Sequence, residues 1–134
     1  MNPISRNLRT GTLGELLVQL RLLQFDVQAA PPLKDSGNDL IAVRGEAMRA
    51  IQVKTTAAAD RFEFDQRDLP KLYHGLALVQ LVGEDRWLHL DACRIFLLAR
   101  EDIKKGRYSF DELREHELCP EVIDRLFPPP VVVA

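Results

Sequence analysis

Two short apolar runs, Leu40-Ile41-Ala42-Val43 and Ala50-Ile51-Gln52-Val53, flank the break Arg44-Gly45-Glu46-Ala47. Strand, turn, strand is the reading that pattern imposes. Closing the turn over Arg44 to Ala47 sets Val43 opposite Met48, Ile41 opposite Ala50 and Asp39 opposite Gln52. Strand side chains alternate, so Gln52 and Lys54 share a face, and Asp39 joins them there. A slip of one residue would send Asp39 to the other face. Polar side chains in such strands cost free energy unless they are paired, solvated or ligated. The hairpin therefore predicts a sheet and marks one end of it as a candidate site.

The flanking segments extend the sheet on both sides. Residues 7–24 carry Leu13, Leu16, Leu17, Leu20 and Leu23 at the spacing of one helix face, with Thr10 or Thr12 as the cap. Gly11, Glu15, Val18 and Leu22 form a second row, so Glu15 projects beside apolar neighbours. "FDVQAA" reads as a short strand ended by Pro31-Pro32, and "DQRDLPKLY" as a short helix bounded by Pro70. "GLALVQLV" has the continuous apolar character of a buried central strand, and "RWLHLDA" alternates as a further strand after a turn at Gly83-Glu84-Asp85. "CRIFLLAREDIKKG" and "SFDELREHELCPEVIDRLF" both read as helical, the second with Pro120 at its middle or at a break. The sum is an α/β (α+β) class, a central mixed sheet flanked by helices in the order αβββαβ. Residues 1–127 make one domain, and 128–134 a Pro-rich extended or disordered tail.

Composition narrows the function classes. The 134 residues carry a formal net charge of −2, which argues against nonspecific coating of nucleic acid. The halves differ: through Thr56 there are seven Lys/Arg against five Asp/Glu, and from Ala57 on eleven against fifteen. No run approaches the ~20 apolar residues of a membrane span, and the N-terminus lacks an apolar signal core. Cys93 and Cys119 form neither a CxxC pair nor a disulfide framework, and a reducing cytoplasm is the expected compartment.

The chemistry that suits Asp39, Gln52 and Lys54 is metal-assisted phosphodiester hydrolysis. Asp39 offers a hard anionic oxygen to Mg²⁺ or Mn²⁺, and the Gln52 carbonyl a neutral one. Lys54 suits orienting or deprotonating the attacking water, or offsetting charge on the phosphoryl group. Glu15 supplies a second carboxylate from the helix. The bland alternative is a hydrogen-bonded Asp39–Gln52 pair at a wet sheet end, with Lys54 an ordinary edge charge. His74, His89 and His116 lack the spacing of a zinc site. Trp87, Tyr73 and Phe110 are expected in the core, Cys93 as a buried thiol, and His89 as a sheet residue.

"GTLGELLVQLRLLQFDV", followed by "SGNDLIAV" and "IQVKTT", resembles the PD-(D/E)XK nuclease superfamily, with its restriction-endonuclease-like core. It is similar to small members such as archaeal Holliday-junction resolvases and QxK intron-homing endonucleases. The resemblance implies that Glu15, Asp39, Gln52 and Lys54 occupy the active-site positions, with Asp39, Gln52 and Glu15 at the metal. It implies a DNA endonuclease acting as a homodimer or higher homo-oligomer. The sequence departs from the usual pattern at Gln52, where an acid is expected; an amide brings no charge and cannot act as a base. A non-catalytic module that keeps the fold to bind DNA or protein is the alternative.

Overall fold

A computed structural model describes residues 5–33, 37–84 and 87–129. Helix α1 (Arg6–Gln24) starts one residue before the expected position, and its cap is Ser5, not Thr10 or Thr12: the Ser5 hydroxyl accepts the Leu8 N–H at 3.1 Å. It ends in paired bonds from Val27 N–H to the Leu22 carbonyl and from Asp26 N–H to the Leu23 carbonyl. That closure needs a left-handed residue, and Asp26 takes it at φ 63°. The buried stripe is Gly14, Leu17, Val18 and Leu22, while Leu16, Leu20 and Leu23 face outward, so the predicted core face is corrected by about one residue row. Leucines on several sides make the helix face ambiguous. A close approach decides it: a Cβ on Gly14 would lie 1.9 Å from Thr55 Oγ1.

Strands β1 (Gln28–Ala30), β2 (Leu40–Arg44) and β3 (Ala47–Thr56) form an antiparallel meander. The hairpin register is the expected one, with Val43 opposite Met48 and Ile41 opposite Ala50. Strand β4 (Arg61–Glu63) and one 3₁₀ turn at Gln66–Asp68, in place of the predicted short helix, carry the chain to β5 (Gly75–Gln80), which runs parallel to β3. Next come β6 (Gly83–Glu84) and β7 (Trp87–Leu88), a two-residue ribbon where a longer strand is predicted; Asp85 of its turn lies outside the described residues. His89 leads exposed into a 3₁₀ turn instead of sitting in a sheet, and Trp87 is exposed, not core.

The segment predicted as a helix from Cys93 is instead β8 (Arg94–Ala99), antiparallel to β5 from Gln80–Arg94 to Gly75–Ala99. Its apolar run is buried on both sides, and such a run has no period that separates strand from helix. The next predicted helix divides into β9 (Arg107–Ser109), a 3₁₀ turn at Arg114–His116 and α2 (Pro120–Leu126). Pro120 lies in the first turn of α2, and Cys119 before it is extended at φ −159°, as proline requires of its predecessor. Pro128 and Pro129 are described; the rest of the predicted tail lies outside the described residues.

The main sheet is mixed, in the order β1-β2-β3-β5-β8. One face packs Ile51, Val53, Ala77, Val79, Ile95 and Leu97 against α1 and α2. The other packs Leu76, Leu78, Phe96 and Leu98 against Phe62, Tyr108 and Leu113 of the β4–β9 layer. Cys93 is a buried free thiol bonded to the Val82 backbone, and Phe110 packs against the second face. Among the described residues no helix is long and apolar enough to cross a membrane.

Candidate functional site

The cleft exists because β3 outruns its neighbour. The β2–β3 ladder ends at Leu40–Ile51, whereas β3 stays paired with β5 as far as Thr56–Gln80. From Gln52 on, the other edge of β3 has no strand beside it among the described residues. Asp39 takes up part of the vacant ladder: its Oδ2 accepts the Val53 N–H at 2.8 Å. Gln52 is 5% exposed, and its Nε2 donates to the Gly37 carbonyl at 2.7 Å and to Asn38 Oδ1 at 3.3 Å. Those bonds orient the amide and leave Oε1 as its acceptor. Asp39 and Gln52 thus bond the backbone and loop rather than each other.

The resulting cleft has a volume of about 360 Å³ and is lined by Glu15, Asp39, Gln52 and Lys54, with Val53 and Thr55 of β3 and Asn7, Thr10 and Gly11 of α1. It wraps the free edge of β3. Val53 belongs to the α1 side, while Gln52 and Lys54, level with Leu76 and Leu78, belong to the opposite face. All four residues singled out from sequence line this one cleft. The sequence reading missed Asn7 and Thr10; extending the Gly11–Glu15 row back one helical turn reaches Asn7.

The charges are poised rather than neutralised. Neither the Glu15 carboxylate nor the Lys54 ammonium has an ion-pair partner among the described residues. Burial, and secondly the negative charge of Asp39, push the Glu15 carboxyl above its ordinary value. Thr55 Oγ1 is buried with no hydrogen-bond partner among the described residues, where Gly14 of α1 lies against it. Among the described residues no three His, Cys, Asp or Glu side chains gather in a metal-holding group. The anionic donors in the cleft are two carboxylates, and any third oxygen comes from an amide, a hydroxyl or the backbone.

No family model and no curated protein matches the sequence. In structure the chain is similar to the bacterial homing endonuclease I-Ssp6803I, with a TM-score of 0.57 and 14% identity over 78% of this chain and 74% of that one. At that identity the likeness is one of fold: a nuclease-like mixed sheet with helices.

Proposed function

We propose that the chain is a divalent-metal-dependent DNA endonuclease of the PD-(D/E)XK kind, working at the Glu15–Asp39–Gln52–Lys54 cleft. The observation that carries this reading is the convergence of those side chains, from α1, the approach to β2 and β3, on one open cleft. Repulsion between Glu15 and Asp39, neither of which forms an ion pair among the described residues, suits a site built for Mg²⁺ or Mn²⁺. Asp39, Glu15 and Gln52 Oε1 are the residues that would hold the ion. When bound, the ion would lower the pKa of a coordinated water and offset phosphoryl charge.

The protein's own groups divide the remaining work. The Val53 N–H fixes one oxygen of Asp39 and leaves the other as the oxygen that would meet the ion. Gln52 supplies a dipole only, so proton transfer falls to Glu15 or Lys54. Burial and Asp39 raise the Glu15 pKa, which makes its carboxylate a stronger base than an ordinary one. Lys54 carries the positive charge beside the reacting phosphate. Cutting both strands of a duplex calls for two such sites, hence a homodimer or higher homo-oligomer.

One observation favours a second reading. Gln52 is pinned to Gly37 and Asn38 as a structural brace would be, which suits a binding module that keeps the fold without cleavage. The deciding experiment incubates the protein with Mn²⁺ or Mg²⁺ and plasmid, single-stranded, branched and flapped DNA. Asp39→Ala and Lys54→Ala run beside it, their folding checked by circular dichroism. Cleavage by the wild type alone, reduced at least about 10²-fold in both variants, is the expected result. Cleavage that survives both substitutions overturns the assignment of the site.

A further inference from the structure

A second concave site shares no lining residue with the cleft. It has a volume of about 350 Å³, within the range of small-ligand pockets, and lies where β3 and β5 begin and β8 ends. Arg49, Arg100 and Arg125 line it with Tyr73 and His74, against one carboxylate, Glu101. None of the three arginines forms an ion pair among the described residues, whereas Arg44, Arg61, Arg67, Arg94, Arg107 and Arg114 all do. Three such guanidinium groups line one hollow on a chain of net negative charge; Arg6 and Arg9, also without ion pairs among the described residues, line a smaller one.

Two of the three have partners that orient them, while Arg125 is exposed and donates only from Nη1 to the Glu115 carbonyl at 3.5 Å. Arg49 Nε donates to the Leu126 carbonyl at 2.9 Å and Nη1 to the Met48 carbonyl at 3.0 Å, which leaves Nη2 for a ligand. The Arg100 guanidinium lies 5.1 Å from the centre of the Tyr73 ring, a cation–π contact. His74 Nδ1 accepts the Ala50 N–H at 2.8 Å, so the ring carries its proton on Nε2 as a further donor. A group of guanidinium and imidazole N–H donors with little opposing charge suits a phosphate oxyanion.

We propose that this pocket is a phosphate subsite that seats the sugar–phosphate backbone of nucleic acid. Arg49 is three residues before Gln52, about 10 Å along β3, and by strand alternation it lies on the opposite face, with Ile51 and Val53, the second of which also lines the cleft. The choice of nucleic acid as the phosphate source rests on the function proposed above; the phosphate chemistry of the pocket does not.

The test measures binding in EDTA, where cleavage plays no part. A short labelled duplex is titrated by fluorescence anisotropy at several salt concentrations, and inorganic pyrophosphate by calorimetry. Arg100→Gln/Arg125→Gln is compared with wild type and with Arg61→Gln/Arg67→Gln, which removes equal charge from arginines already paired with carboxylates. The expected result is duplex binding weakened about tenfold near physiological salt and a salt slope lower by about 2, with a much smaller effect in the control. Equal loss in both double variants overturns the subsite, and so does an absence of duplex binding by the wild type. Loss of pyrophosphate binding with unchanged duplex binding overturns the nucleic-acid assignment in favour of a small phosphate ligand. Specific duplex binding by a protein that never cuts sinks the nuclease reading and leaves this one standing.

Discussion

Asp39 and Gln52 are positioned by backbone groups, one by the Val53 N–H and the other by the Gly37 carbonyl, and Glu15 has no such anchor for its carboxylate. Its pKa is raised by burial and by Asp39, and that sets a direction for stability. The folded state disfavours ionised Glu15. Its contribution is therefore favourable below the ordinary value of 4.5 and is lost as pH rises through the higher folded value. Glu15→Gln removes the ionisation cost, so the variant should be more stable than wild type at neutral pH. The difference should vanish once both states hold the proton, at about pH 3.5. Urea unfolding at the two pH values checks this, and an equal difference at both would show that the charge is not responsible. The hairpin members of this group were legible because a short turn fixes register, and register fixes which side chains share a face. Glu15 was legible only as one of a row. Which row faces the sheet depends on how α1 docks.

Among the elements, α1 shows most directly how one contact selects a face. Gly14 lies against Thr55, with no room for a methyl group, while a Cβ at Gly11 would meet nothing within 4 Å. The two glycines should therefore respond oppositely to alanine. Gly11→Ala is expected to stabilise by about 0.5–1 kcal/mol through helix propensity. Gly14→Ala is expected to destabilise by about 1–3 kcal/mol through overpacking, part of it recovered on a Thr55→Ala background. Denaturant midpoints of the variants decide it, and similar midpoints for the two glycine variants would contradict the docking. Strand β8 was the costliest misreading, since its residues Ile95 to Leu98 are apolar without interruption. In the sheet they alternate between two packed layers, Ile95 and Leu97 to one, Phe96 and Leu98 to the other. A run with two buried faces has lost the polar side that identifies a strand from sequence.

At the scale of the whole molecule, one sheet serves two cores, and the smaller depends on a few aromatic rings. Phe62 is 2% exposed and meets Phe96 and Phe110 edge-on, at ring-centre distances of 6.0 and 5.3 Å. Phe62→Ala should cost about 3–5 kcal/mol, measurable as a lowered denaturant midpoint. Retention of near-wild-type stability would mean that the β4–β9 layer contributes little to the fold. What the sequence determined by itself was local: α1, the β2–β3 hairpin and its register as far as Leu40–Ile51, the buried strand β5, and the common face of Gln52 and Lys54. Turn residues, apolar period and alternation act within a few residues and need no knowledge of what lies opposite. The tertiary structure alone decided that 94–99 is a strand, that α1 presents Gly14 and Leu17 to the sheet, and that three arginines without ion pairs among the described residues meet at one end of it. Those outcomes depend on contacts between segments far apart in the chain, where packing and close approach outweigh local preference.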